Sequence, residues 1–496
     1  MKTFFALAAL FGYVIYDADA VNAYAQADGP DEPYYVWVDE QYRDWYKERY
    51  DKVIPKGYVL KANKATQGHP EAGRLWADKI EGNIKLLGFE NPTHETCLYR
   101  GKWEGQDVLI CRQVDDFMFA AKDKSVCNSL AKALRDGDPD QGRDSIRLTI
   151  SDKPVTAYNG LDIEQTKDYV KINVASYIEK ILEGQGWTKD GKQEAKDPIR
   201  PDKINDIQHA QRPTTQKEAD AIADKMPFSY RAALGELIYA YVTCRPDIGY
   251  AIALLAKYSN NPAEIHFEAV KDVYRYLRRT KDDGIIFWRT QRRDDADLPD
   301  GTEVTRPIDE DDALVPHPKE ADQLGAYFDA AYATCPDTRR STGAFIITLG
   351  GSAIYYKAKW MPTVATSSTE AEFMAAVNCA KAVKYFRSIL DELGVKQVGP
   401  TKIYGDNVAC CHLANAGKPT ERARHIDIQY FAIQEWTARQ IVSLDHIPGR
   451  INFSDALTKA LGSILQHRHC TRMMGYAGSP YTSTYGKITT KTSSEA

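Results

Sequence analysis

The sequence predicts a multidomain protein of mixed α/β and α+β architecture, and three stretches carry that prediction. The segment "DVLICRQVDDFMFAAKD" (107–123) sets two apolar runs around a polar "QVDD", as two strands flank a tight turn. From about residue 322, three strand-like runs precede a long helical one, after which strand and helix alternate. Between these regions, residues 291–321 are rich in charge and proline and poor in large apolar side chains, which reads as linker. At 496 residues there is room for two or three cores.

Composition narrows the function classes. Hydrophobic content of 43% and charged content of 27% are ordinary for a soluble globular chain. No apolar run approaches the length that crosses a bilayer, so no membrane partner is expected. A net charge of −5 weighs against coating nucleic acid by bulk electrostatics, but leaves room for an enzyme that lines one cleft with basic residues. The nine cysteines include no C-x-x-C pair, so neither a zinc ribbon nor a disulfide framework is supported. A reducing compartment is the plainer reading. "HRHC" (467–470) lacks a second cluster and reads as solvated tail.

Taken in order, the elements begin with "MKTFFALAALFGYVIYDADA", which has the outline of an export signal: a lysine, an apolar run, then small residues. The run continues unbroken into a strand carrying Asp19, and cleavage after "ADA" would remove that carboxylate. A helix packed beneath the Asp19 strand is therefore expected, in a protein that is not secreted. Residues 155–182 read as a strand pair and a helix, and 228–290 as mainly helical with a break at Pro246. In the last region Asp329 falls within the first strand, Glu372 in the long helix, Asp406 at the end of the fourth strand and Asp455 at the start of a last helix. The end of the chain, through "TTKTSSEA", reads as a polar, disordered tail.

Two sets of carboxylates invite a chemical reading. Phosphodiester cleavage by two metals needs converging acids around ions about 4 Å apart, and Mg²⁺ accepts isolated oxygen ligands from separate elements. Asp329, Glu372, Asp406 and Asp455 suit that demand; the plain alternative is four solvated surface acids. Asp115 and Asp116 adjoin at a hairpin turn, where like charges repel unless solvent or a divalent metal relieves them. A nucleotidyl transferase would need a further acid from another strand, and Asp19 is the candidate.

The phrases "STGAFIITLGGSAIYYKAKWMPTVATSSTEAEFMAA", "YGDNVACCHLAN", "RARHIDIQYFAIQE" and "DHIPGRINFSDALTKAL" resemble the RNase H domain of copia-type LTR retrotransposon polyproteins over most of 322–462. That resemblance selects Glu372 rather than Glu370 as a metal carboxylate and leaves His446 as a structural strand residue. "DAVNAY", "QVDD", "NKATQGHPEAGRLW" and "YNGLDI" resemble the reverse transcriptase of the same polyproteins. It implies Asp19, Asp115 and Asp116 as metal ligands and Tyr24 as the aromatic that screens the nucleotide sugar, with Asp17 at the surface. Gln113, Glu71, Ala25 and Ala27 depart from the family pattern. In "HFEAVKDVYRYLRRT", Arg275, Tyr276, Arg278 and Arg279 could grip a hybrid backbone or form the solvated face of an amphipathic helix.

The resemblance implies a partial reverse-transcriptase palm at 1–182 and a thumb- or connection-like helical region at 183–290. A charged linker at 291–321, an RNase H-like α/β domain at 322–465 and a polar tail at 466–496 would follow. It also implies two Mg²⁺ per active site, with Mn²⁺ as substitute. Expected partners are RNA template, DNA primer, RNA/DNA hybrid, deoxynucleoside triphosphates and other Pol or Gag products, in cytoplasm, virus-like particles or nucleus. Because the match begins inside the polymerase, the fingers are expected to be absent and primer extension impaired, while RNA hydrolysis in hybrids survives. The alternative is a catalytically inactive nucleic-acid-binding remnant.

Overall fold

The computed structural model describes residues 1–188, 194–290, 292–293, 298–301, 311, 314–416, 427–478 and 480–481. The chain forms two compact units, one of Val14–Pro154 and one of Met1–Tyr13 with Val155–Ala496.

The Val14–Pro154 unit is built on a six-stranded antiparallel sheet. Its order is Phe89–Glu90, Leu98–Trp103, Gln106–Gln113, Asp116–Ala121, Val14–Ala20 and Leu148–Ile150. The expected hairpin is present, with Gln113 opposite Asp116 and only Val114 and Asp115 in the turn. A two-residue hairpin turn needs positive φ, and Val114 adopts it at +58°, a strained state for a β-branched residue. The helix Ala72–Leu86 turns Ala72, Trp76, Ile80 and Ile84 inward at a spacing of four. From it, Trp76 Nε1 donates to the Val114 carbonyl at 2.6 Å and fixes the turn. The helix Lys124–Asp136 buries Val126, Cys127, Leu130, Ala131 and Leu134 in the same manner.

The other unit holds two sheets. Gly284–Trp288, Tyr169–Asn173, Leu161–Gln165 and Ala157–Tyr158 form an antiparallel four-stranded sheet, and helices Tyr230–Thr243, Gly249–Ala256 and Glu264–Arg279 pack on one another. The break at Pro246 is a single 3-10 turn. The second sheet runs Ser352–Trp360, Thr342–Leu349, Gly325–Ala331, Thr401–Gly405 and Val442–His446. Its first three strands are antiparallel, and the last two join in parallel. With the helix Ser368–Glu392 packed on it, this is the order of elements that the resemblance to RNase H implies.

Four expectations are corrected. The helix Lys2–Leu10 packs within this second unit, on strands Gly284–Trp288, Ser352–Trp360 and Tyr169–Asn173, and not beneath the Asp19 strand. It is apolar all round, with Thr3–Leu10 buried, and so behaves as an interior helix rather than a one-faced cover. Tyr169–Asn173 pair with Gly284–Trp288, so the sheet spans the expected 182/183 boundary and the units divide near residue 154 instead. Asp455 lies in a 3-10 turn, Phe453–Leu457, because Asn452 ties it down: its amide donates to the Phe328 carbonyl at 2.9 Å and its Oδ1 accepts from Ser454 Oγ at 2.5 Å. The α-helix proper is Ser463–Met473.

That helix also takes in the first part of the expected tail, residues 466–473. Gln466, His469, Cys470, Arg472 and Met473 are buried, the Met474 carbonyl accepts from Ile286 N–H at 2.9 Å, and Trp288 Nε1 donates to the Gly475 carbonyl at 2.7 Å. "HRHC" is thus a turn of packed helix. Residues 482–496 lie outside the described residues, as do most of the expected linker and the segment 417–426.

Candidate active sites

The strand Gly325–Ala331 is buried throughout and carries Asp329, which has no exposed surface. Its parallel neighbour, in register Tyr327 to Tyr404, brings Asp406 level with Asp329 just beyond the strand end. Gly405 permits this packing, because a Cβ there would stand 2.3 Å from the Phe328 ring. Glu372 arrives from the helix Ser368–Glu392. Ser367 caps it by accepting from Glu370 N–H at 3.1 Å, and the Glu370 carboxylate turns back to accept from Thr366 N–H at 2.6 Å. Glu370 is thereby spent on the helix start, while Glu372, one turn in, is only 6% exposed.

Carboxylate oxygens of Asp329, Glu372 and Asp406 lie within 4.8 Å of one another, the one such group of three or more metal-type side chains among the described residues. Asp455 is outside that group and joins it through Lys459, whose Nζ is 3.2 Å from Asp329 Oδ1 and 3.2 Å from Asp455 Oδ2. The Thr458 hydroxyl donates to Asp329 Oδ2. Neither Thr458 nor Lys459 was singled out from sequence; the four-residue step from Asp455 to Lys459 was the available signal. His446, read as structural, ends its strand exposed, and its charge favours the ionised form of Asp406.

The cluster carries more negative charge than one ammonium offsets. Burial first, then Asp329 and Asp406, push Glu372 up to about 9. Burial and Asp329 push Asp455 up to about 8, and Asp406 is raised for the same two reasons. Burial alone would lower the Lys459 pKa, yet the carboxylates of Asp329, Asp455 and Asp406 carry it upward. Glu372 Oε2 and Asp455 Oδ1 are buried with no hydrogen-bond partner. All-oxygen donors, excess negative charge and unpartnered buried oxygens together fit a hard divalent cation.

The polymerase-type acids are arranged differently. Asp19 stands directly across the sheet from Asp116, and the Asp115 carbonyl accepts from Ala20 N–H at 2.9 Å. Asp19 and Asp115 are exposed and Asp116 half-buried, as is Asp17, expected at the surface. Burial, then Asp115, Asp19 and Asp17, raise the Asp116 pKa. These side chains are neighbours but do not converge as tightly as the other set. Tyr24 lies half-buried in the single helical turn Ala23–Gln26. Gln26 fastens that turn by donating to the Val21 carbonyl at 2.8 Å and accepting from Arg147 N–H at 2.7 Å.

A family profile described as reverse transcriptase (RNA-dependent DNA polymerase) matches residues 1–199, the span holding Asp19, Asp115 and Asp116. The chain is 28% identical, over 93% of its length, to the retrovirus-related Pol polyprotein from transposon TNT 1-94 of Nicotiana tabacum. Its relatives are retrotransposon Pol polyproteins. A second Pol polyprotein, from transposon RE1 of Arabidopsis thaliana, is 26% identical over 83% of the chain. The chain spans 31% and 24% of the lengths of those two relatives. Among solved structures, LC11-RNase H1 in complex with RNA/DNA hybrid aligns with 27% of the chain and 93% of its own, at 13% identity and a TM-score of 0.22, too low to carry weight. The RNase H-like fold rests instead on the strand order and register of the five-stranded sheet.

Proposed function

We propose that this chain hydrolyses the RNA strand of RNA/DNA hybrids at the Asp329, Glu372, Asp406 and Asp455 cluster. The observation that carries the reading is the convergence of Asp329, Glu372 and Asp406 within 4.8 Å, with buried, unpartnered oxygens on Glu372 and Asp455. Asp329 and Asp406, side by side on parallel strands, would hold a metal between them with Glu372 closing the set, and Asp455 would complete a second position with Asp329. Mg²⁺, or Mn²⁺ in its place, would supply an activated water and neutralise the leaving oxygen. The chain's own part is to fix those carboxylates: the Asn452 tie holds the Asp455 turn, the Thr458 hydroxyl orients Asp329, and the Thr366 N–H and hydroxyl hold the Glu370 carboxylate out of the cluster. Exposed His446 stands at the rim beside Asp406.

Asp19, Asp115 and Asp116 are proposed as the polymerase ligands, with Tyr24 against the nucleotide sugar, RNA template, DNA primer and deoxynucleoside triphosphates as substrates, and other Pol or Gag products as partners. Their open spacing favours the nuclease as the stronger activity of the two. Action inside the cell is supported by the Lys2–Leu10 helix, which is interior structure, and by nine free cysteines.

The purified chain should nick a labelled RNA/DNA duplex in Mg²⁺, and Asp406→Asn should lower the rate by at least about a hundredfold. Hybrid binding by the wild type with no metal-dependent cleavage would show an inactive remnant instead.

A further inference from the structure

The helix that carries Glu372 has a second flank, and a groove of about 700 Å³ runs along it against the strands Thr342–Leu349 and Ser352–Trp360. Asn378, Lys381, Ala382 and Tyr385 form its helical wall at the spacing i, i+3, i+4, i+7. Lys357 and Lys359 come from the edge strand, their side chains exposed on the same side two residues apart. No carboxylate lines the groove, and Lys357, Lys359 and Lys381 have no ion-pair partner among the described residues. Its floor is aromatic: Phe345 and Tyr355 rings are 5.9 Å apart, Tyr355 and Phe386 5.4 Å, Phe386 and Tyr385 5.3 Å. Tyr385 remains 41% exposed.

We propose that this groove binds a single strand of nucleic acid, with phosphates on Lys357, Lys359 and Lys381 and a base stacked on Tyr385. Uncompensated lysines call for a polyanion, and the exposed Tyr385 ring calls for a base free of a duplex, since paired bases keep their faces covered. An acidic protein segment would satisfy the lysines but leave the Tyr385 ring without a stacking partner. The site is distinct from the acid cluster: Glu372 turns inward to Asp329, whereas the groove runs about 16 Å along the other flank of the helix, from Met374 to Tyr385. A strand held there would be one that flanks or is displaced from a hybrid, and its binding does not depend on whether the cluster cleaves RNA.

The test is fluorescence anisotropy of a labelled oligothymidylate with the full chain across a salt series. Replacing the three lysines together by glutamine should raise Kd at least about tenfold and flatten the log Kd against log salt slope by about 2, at about 0.7 per phosphate contact. Tyr385→Ala should weaken binding about fivefold or more, with Tyr385→Phe retaining it. Unchanged melting temperatures establish that the exposed substitutions leave the fold intact. A slope and Kd indistinguishable from wild type would overturn the proposal, as would a triple variant whose only change is in self-association. Cleavage of a blunt hybrid, read in parallel, should be the same in both proteins; its absence from both would count against the nuclease alone.

Discussion

At the scale of residues, the acid cluster is an unfavourable arrangement that the fold holds together. Glu372 and Asp455 have folded pKa values near 9 and 8, while unfolded carboxylates titrate near 4. Between those limits the native state binds more protons than the unfolded state, so stability falls as pH rises. The metal-free protein should therefore melt at progressively lower temperature from about pH 5 to about pH 9. Mg²⁺ should reverse the trend most strongly at the alkaline end, and Glu372→Gln should flatten it. Thermal melts across pH with and without metal read this directly; a melting temperature that climbs through the same window would contradict it. The acids were legible in the sequence; of the Lys459 contacts only the four-residue step to Asp455 leaves a mark, and the reach to Asp329, 130 residues away, leaves none.

At the scale of elements, chain patterning located most of the architecture. The "QVDD" hairpin, the three antiparallel strands, the long Glu372 helix and the parallel pair that follows are all legible from alternation and helical spacing. Patterning failed where it says that an element is buried but not against what. Lys2–Leu10 is apolar on every side, which fits an export signal, a palm helix or the interior helix that it is. Phe4→Ala should accordingly cost about 3–5 kcal/mol in a denaturant melt, since Phe4 is fully buried; an effect under about 0.5 kcal/mol would mean that the helix is dispensable. The helix Ser463–Met473 failed the other way. Its letters are polar, yet Gln466, His469 and Arg472 are buried, and single-residue polarity cannot announce a site that packs polar side chains.

At the scale of the whole molecule, two units carry two sets of acids, and the chain's last packed helix belongs to the unit with the tighter set. Ending the protein after Leu465 would strip the Met474 and Gly475 carbonyls from Ile286 and Trp288. With the buried Met473 also gone, that unit should lose at least about 5 kcal/mol of stability, seen as an earlier transition in calorimetry; an unchanged transition would place 466–478 outside the core. The central claim is that the buried cluster, and not the exposed acids around it, cleaves RNA. Its most direct test is the Mg²⁺-dependent rate of hybrid cleavage by wild type, Glu372→Gln and Glu370→Gln. The predicted result is near-wild-type cleavage by Glu370→Gln and loss of at least about a hundredfold in Glu372→Gln; equal rates in the two variants, or the reverse order, would contradict it.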